Sequence, residues 1–333
     1  MTQDGTKVLV VGATGTVGGA AARALKARGA QVRALVRSAR SAEKLGEFDC
    51  VQADLRDGAQ LERALAGVSH AFYVSPHEQD EEQLAAQFVA ACERARVRLV
   101  FVGVHVDGKN RLLRAARRFL FGRVLAHYRP KFRIAERARS SAADPIVLMP
   151  SNFFQNDELF MPELLAGRFT QPFERAFNRV DVLDIAEAAA RACTDGSLPA
   201  GAYPVVGPES LDGAACAEIW SQELGRQVRY EPASRAELRL SCERGAHQKK
   251  LEDFLASYDA IRGFELVTRA DELARTSDSF GPRTDQLPRL RATQRRRAAR
   301  ERGAGGRTHS ACQAERSFAC WMRRDSSWKR PLT

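Results

Sequence analysis

Through the first 150 residues, short apolar runs alternate with stretches whose apolar positions return at helical spacing. The runs are Lys7–Val11, 31–37, 50–54, His70–Val74, 99–103 and 145–149. Continuous β-branched and aliphatic runs of this kind predict strands buried on both faces of a parallel sheet. Between them, 38–45 and 59–65 predict short helices, and Leu84, Phe88, Val89 and Cys92 recur at helical spacing after an acidic loop over 76–82. Pro130 suits a first helical position, so a helix is predicted with Lys131 in its first turn, running to about residue 140. Strands and helices alternating in this way predict right-handed βαβ units and a doubly wound parallel sheet, with ligands at the carboxyl ends of the strands.

The segment 110–127 is less regular. Leu112, Leu113, Phe119, Leu120, Phe121, Val124 and Leu125 stand among Arg111, Arg114, Arg117, Arg118 and Arg123. It reads as a lid or partner-facing helix with solvated arginines, and the alternative is a basic helix resting on a membrane surface. Beyond Pro150 the βα alternation breaks down. Helices are predicted over 157–166, 184–192 and Gly213–Leu224, and strands over 178–182, 202–206 and 228–230. The expected organisation is a dinucleotide-binding domain over 1–150 and a smaller α/β substrate lobe over 151–279, with helix 184–192 able to pack back on the first domain.

Charge changes the picture at the C-terminus. Of the 52 basic and 41 acidic residues, 14 and 4 lie in 280–333, leaving 38 and 37 in 1–279. Of the net charge of +11, +10 therefore belongs to the tail and +1 to the rest, and the folded part gives no reason to expect nucleic acid. The tail has no periodicity and reads as disordered, although Phe318, Trp321 and Trp328 are unusual in a solvated segment. Two accounts stay open: a basic arm that touches nucleic acid or acidic lipid, or an out-of-frame C-terminus. Seven cysteines without C-x-x-C or Cys/His pairing argue against a structural metal and against a disulfide framework. No run has the length of a membrane span, and residues 1–5 have no leader-like pattern, which points to the cytoplasm.

Candidate chemistry begins where the first strand ends. Gly12, Gly15 and Gly18 follow Lys7–Val11 and open an alanine-rich stretch, a strand–turn–helix whose backbone N–H groups face an anion such as a pyrophosphate. The spacing is G-x-x-G-x-x-G, which carries meaning only with the strand before it and the helix after it.

Taken with Arg37, Asp54-Leu55, Lys131, the run Pro150-Ser151-Asn152-Phe153-Phe154-Gln155-Asn156 and the stretch 179–186, this turn makes the chain resemble the NmrA-like family. These are atypical short-chain dehydrogenase/reductase proteins with an NAD(P)-binding Rossmann fold. The resemblance covers about 6–232, thins through 233–279 and is absent from the tail. It implies that Gly12, Thr14, Gly15, Thr16, Val17 and Gly18 form the pyrophosphate turn. It also places Arg37 on the 2′-phosphate of NADP(H), in a strand end that lacks the carboxylate usual for NAD(H). NADP(H) is thus the preferred cofactor, with NAD(H) admitted. Asp54 and Leu55 resemble an adenine-side pair, Asp54 being otherwise a helix N-cap. Ser75 stands where the nicotinamide ribose would lie or in an ordinary turn.

The usual Y-x-x-x-K pair is missing, since Tyr128 precedes Lys131 by three residues and Pro130 is expected to break any shared helix face. Lys131 remains as a ribose ligand or proton donor, or else as a solvated lysine. His105, Asn152, Phe153, Phe154 and Asn156 are the substrate-pocket candidates. The resemblance implies an NAD(P)H-dependent oxidoreductase of a small carbonyl or quinone; the alternative is a non-catalytic NADP(H) sensor that binds a regulatory protein partner.

Overall fold

The computed structural model of the chain describes residues 5–75, 80–106, 111–243, 248–263 and 265–281. The tail 282–333, with its tryptophans and cysteines, and residues 76–79 of the acidic loop lie outside the described residues. In chain order the elements are β1 (Lys7–Val11), α1 (Thr16–Ala27), β2 (Gln31–Val36), α2 (Ala39–Glu43), β3 (Asp49–Gln52), α3 (Gly58–Leu65), β4 (His70–Val74), α4 (Glu81–Ala95) and β5 (Arg98–Val102). Next come α5 (Arg111–Val124), α6 (Tyr128–Arg139), β6 (Ile146–Pro150), β7 (Asn152–Phe153), a 3-10 helix (Phe154–Phe160), α7 (Met161–Leu165), β8 (Arg168–Phe169), β9 (Phe177–Val180) and α8 (Val182–Thr194). The last are β10 (Gly201–Val205), β11 (Ser210–Leu211), α9 (Gly213–Leu224), β12 (Arg229–Tyr230), α10 (Arg235–Glu243), α11 (Gln248–Gly263) and α12 (Ala270–Phe280).

These elements form two units. The first takes residues up to 153, then 178–208 and 268–281; the second takes 154–177 and 209–267. In the first unit seven strands lie in the order β10-β6-β5-β4-β1-β2-β3, parallel throughout. Their side chains divide cleanly between the two faces. Val8, Val10, Phe72, Val100, Ile146 and Leu148 join one core with α1 and α8, while Leu9, Val11, Ala71, Tyr73, Leu99 and Phe101 join another with α3, α4 and α6. Period-two alternation with apolar residues on both sides is what makes the strands continuous in hydrophobicity. The outcome is the doubly wound Rossmann sheet that the alternation of runs predicts.

Three features differ from the sequence reading. The strand predicted over 202–206 is expected in the substrate lobe, yet β10 extends the large sheet beside β6, and α12 covers it through Arg275 Nη2 to Ala202 O at 3.0 Å and Thr276 Oγ1 to Pro204 O at 2.9 Å. Pro204 is accommodated because β10 is an edge strand. The helix α6 begins at Tyr128 with His127 as N-cap, so Pro130 stands at its third position and Tyr128 shares the helix with Lys131. The first N–H groups of a helix have no intrahelical acceptor, and proline there breaks no hydrogen bond. The single helix predicted over 157–166 is divided between the 3-10 helix and α7, with Pro162 in the first turn of the latter.

The second unit is built on aromatic packing. Phe154, Phe169, Phe173, Phe177 and Trp220 form its main core with Leu164 and Val228, and β8 pairs parallel with β12. Gly213 lets α9 approach Tyr230, whose ring a Cβ at that position would meet at 2.1 Å. Cys92 and Cys193 are buried in the first unit, where desolvation pushes both thiols up to about 12, as befits cysteines that act as small core hydrophobes. Among the described residues no helix is long and apolar enough to cross a membrane.

The turn after β1 is the tightest point of the first unit. Gly12 has φ of +82°, Gly15 N donates to Gly12 O at 2.9 Å, and a Cβ on Gly18 would lie 2.2 Å from that same carbonyl oxygen. Opposite the turn, α1 packs on α8 through alanines, and Glu187 of α8 accepts from Arg28 at the end of α1 and from Arg191 at 3.3 Å. The Arg28 hydrogen bond outweighs burial and holds the Glu187 carboxyl below its ordinary value.

Two predictions come from this packing. Gly18→Ala is expected to destabilise the protein by about 3 kcal/mol, the upper end of overpacking, whereas Gly58→Ala, at a helix position with open space around it, is neutral or stabilising; thermal melting of the two variants checks the contrast. Because Glu187 has a depressed native pKa, its contribution is full above about 4.5 and is lost as pH falls through the native value. Melting temperature measured from pH 6 to pH 3 is expected to fall less steeply for Glu187→Gln than for the parent chain, and the difference is expected to shrink at high salt.

Candidate functional site

The order of strands reverses between β1 and β4, and the loops after these two strands adjoin: a Cβ on Gly12 would lie 3.7 Å from Val74 Cβ. In doubly wound sheets this is the crevice where ligands bind. On the β1 side, Gly15 is the N-cap of α1, is extended at φ −90° and ψ 173°, and offers no capping side chain. Thr16, Val17 and Gly18 occupy the first turn, whose N–H groups have no acceptor within the helix. Thr14, Gly15 and Thr16 are exposed, while the Val17 side chain is buried in the core and leaves its backbone to the turn. The combination has the features of an anion cradle: donors and the positive end of a helix, with no capping side chain on Gly15.

Arg37 is exposed just past β2, and its carbonyl accepts from Gln52 Nε2 at 3.3 Å. Ser38 caps α2 by accepting from Ser41 N at 3.3 Å. The alternative role for Asp54 is not realised. Asp57 is the N-cap of α3, accepting from Gln60 N at 3.0 Å, and Asp54 instead accepts from Arg56 N at 2.9 Å within the loop. Leu55 is buried in the core on the α3 side of the sheet.

On the β4 side the structure joins two predicted residues through one that the sequence reading assigns to a loop. Glu81, the first residue of α4, takes Lys131 Nζ at 2.9 Å and Ser75 Oγ at 3.2 Å on the same oxygen, Oε2. The side chains of Glu81 and Lys131 are 9% and 16% exposed. An ion pair so withdrawn from water is little screened, and removing one partner strands the other charge at a cost of about 3–5 kcal/mol. The helix N-terminus adds to the stabilisation of the carboxylate. Asp80, Glu81 and Glu82 just ahead of the helical spacing that starts at Leu84 are the signal that could have placed Glu81 in a first turn. Tyr128, one turn before Lys131, packs edge-on against Phe121 at 5.1 Å and against Phe132 at 6.2 Å.

The remaining pocket candidates are distributed differently. His105 is buried after β5, its N–H bonded to Pro150 O at 3.0 Å and its Nε2 3.8 Å from Glu272 Oε1 of α12. Asn152 and Phe153 belong to the first unit, where both serve Arg179: Nε donates to Asn152 Oδ1 at 3.4 Å and Nη2 to Phe153 O at 3.3 Å. Arg179, 1% exposed, is the largest fully buried side chain, and these acceptors offset part of the cost of its burial. Phe154 lies in the aromatic core of the second unit, and Asn156 there accepts from Gln171 through its carbonyl at 3.2 Å. The next residue, Asp157, is buried and accepts from Gln171 Nε2 and Trp220 Nε1 at 3.2 and 3.0 Å. Among the described residues no cluster of three His, Cys, Asp or Glu side chains is arranged to hold a metal.

Comparison with known proteins agrees with this architecture. A model of the NmrA-like family matches residues 4–265. An NAD(P)H azoreductase from Xenophilus azovorans is 31% identical over 231 residues, covering 67% of this chain and 76% of the relative. The triphenylmethane reductase of Citrobacter sp., solved with NADP(H), aligns with a TM-score of 0.70 at 21% identity, over 87% of this chain and 99% of that one. The negative transcriptional regulator NmrA, solved with NADP, aligns at 0.63 and 19% identity, over 86% and 95% of the two chains. The chain belongs to the NmrA-like family.

Proposed function

We propose that this protein binds NADP(H) and uses it to reduce a small carbonyl or quinone acceptor. The observation that carries the reading is the part-buried Ser75–Glu81–Lys131 cluster that begins at the end of β4, the strand beside β1 where strand order reverses. The turn fits a dinucleotide: a Cβ at position 18 would come within 2.2 Å of Gly12 O, so the cradle exists only with glycine there, and an uncapped helix N-terminus faces it. Thr16, Val17 and Gly18 would hold the pyrophosphate through their N–H groups, and Arg37 the 2′-phosphate, for which an exposed guanidinium is suited by its fork of donors. When bound, the nicotinamide supplies hydride.

The chain's own contribution is position and a proton. Glu81 fixes Lys131 Nζ and orients the Ser75 hydroxyl, so that neither side chain has to be ordered when an acceptor arrives. Lys131 holds a proton at Nζ that a reduced acceptor oxygen can take up. The NAD(P)H dependence named for the azoreductase relative supports the cofactor, and that relative's activity supports reduction as the class of chemistry. A second reading, a regulator that binds NADP(H) and a protein partner without turnover, is favoured by His127, not a tyrosine, standing four residues before Lys131 and by the packing of Tyr128 against Phe121.

NADPH oxidation across a carbonyl and quinone panel separates the two. Lys131→Ala is expected to lower the rate at least about a hundredfold while changing NADPH affinity much less, and Glu81→Gln, which keeps the shape but loses the ion pair, is expected to lower it about tenfold. Tight NADPH binding with no turnover of any acceptor would favour the regulator. For cofactor choice, Arg37→Ala is expected to weaken NADPH binding about tenfold or more and leave NADH unchanged, as read by fluorescence titration; equal affinities unaffected by the substitution would remove the 2′-phosphate assignment.

A further inference from the structure

The side chains of α5 are arranged in the reverse of the usual order for a surface helix. One side is occupied: the Phe121 ring packs edge-on against Tyr128 and lies 6.1 Å from Phe132, and Arg118 donates to Phe132 O at 3.1 Å and pairs with Glu136 at 3.3 Å. At 100° per residue, Leu112, Ala116, Phe119 and Arg123 come up on the opposite side, with Leu113 and Leu120 along its margin. That side faces water. Leu112 is 82% exposed, Phe119 70%, Leu120 52% and Leu113 38%, while leucines of the sheet core such as Leu9 are 0% exposed. The Arg123 guanidinium lies 5.9 Å over the Phe119 ring, so that its stem follows the apolar stripe.

Every charged residue of α5 is basic, and Glu136 of α6 pairs with Arg118 on the occupied side. Residues 108–135 contain nine Lys and Arg and no Asp or Glu, and five of the nine are in α5. This limits what can cover the stripe. A second copy offering the same face would set arginines against arginines, and a tail segment with the 14 basic and 4 acidic residues of 280–333 would meet the same like-charge cost. The exposed apolar side chains project from a single helix, Leu112 and Phe119 most fully. An exposed apolar stripe on a helix whose charges are all basic is matched by a fluid surface that is apolar below and anionic above.

We propose that α5 is a docking face for an anionic lipid bilayer, with Leu112, Phe119 and Leu120 entering the headgroup–acyl boundary and Arg117 and Arg123 meeting lipid phosphates. The attachment is peripheral and reversible, because one short helix buries far less apolar surface than a membrane span. It is independent of the reductase reading, since it requires neither a dinucleotide nor an acceptor.

Sedimentation of the full chain with lipid vesicles tests this directly. Binding is expected to vesicles of phosphatidylglycerol mixed with phosphatidylcholine, to be absent with phosphatidylcholine alone, and to weaken as salt rises. The double substitution Leu112→Asp with Phe119→Asp is expected to lower the partition coefficient at least about tenfold, and Arg117→Gln with Arg123→Gln about tenfold. All four side chains are exposed, so the melting temperature is expected to be unchanged, and its measurement guards against loss of fold. Undiminished binding by the Leu112/Phe119 variant would assign the affinity to another basic region, such as the tail, and overturn the proposal. Failure of the parent chain to bind the anionic vesicles would overturn it equally, including where α5 is found to hold an acidic protein instead.

Discussion

The absence of a side chain at position 18 allows the first turn of α1 to come down on the carbonyl of Gly12. A methyl group there would be 2.2 Å from that oxygen, so helix and turn could not both keep their places. The approach has consequences in both directions. Toward the ligand crevice it brings the uncapped N–H groups of α1 level with the end of β1 and next to the end of β4. Toward the core it sets the height of α1 over the sheet, and the alanines of α8 then pack on it closely enough for Arg28 and Glu187 to meet. Packing and the proposed anion recognition thus draw on one close contact, which is why a position with no chemistry of its own constrains both.

Much of the first unit was legible in the sequence because its strands are buried on both faces and so appear as unbroken apolar runs. The predicted ends differ by a residue or two: the run 31–37 ends as a strand at Val36, and 50–54 starts at Asp49 and stops at Gln52. What was not legible is non-local. Nothing near residues 201–205 indicates that they extend the large sheet, since the partner strand β6 lies some fifty positions earlier. Two-residue strands such as β7, β8, β11 and β12 carry no periodicity at all. Pro130 misled because proline is compatible with any position in a helix's first turn, and only the structure distinguishes the first from the third.

The candidate site was legible in part for the same reason. Glycines, Arg37 and Ser75 sit at strand ends and can be found by counting along the chain. Glu81 could not be found that way, because its importance lies in Lys131, fifty positions later. In the stretch 152–156 neighbours in sequence have different work: Asn152 and Phe153 satisfy a buried arginine of the first unit, and Phe154 and Asn156 serve the second. A compact polar-aromatic motif after a strand invites a pocket assignment, and the physical demand it meets most visibly is the satisfaction of buried polar groups.

The chain passes from one unit to the other after residues 153, 177, 208 and 267, so that the first is assembled from three segments. This has a bearing on how the protein is made. When residue 150 has left the ribosome, six strands of the sheet exist, but α8 is still to come, leaving the alanine face of α1 open to solvent, and β6 offers an unpaired edge. That edge is closed only by β10 and then covered by α12, which ends at Phe280. The nascent chain must therefore carry a nearly complete but unsealed sheet through the synthesis of more than a hundred further residues, the interval in which exposed edges and apolar faces most invite chaperones or aggregation.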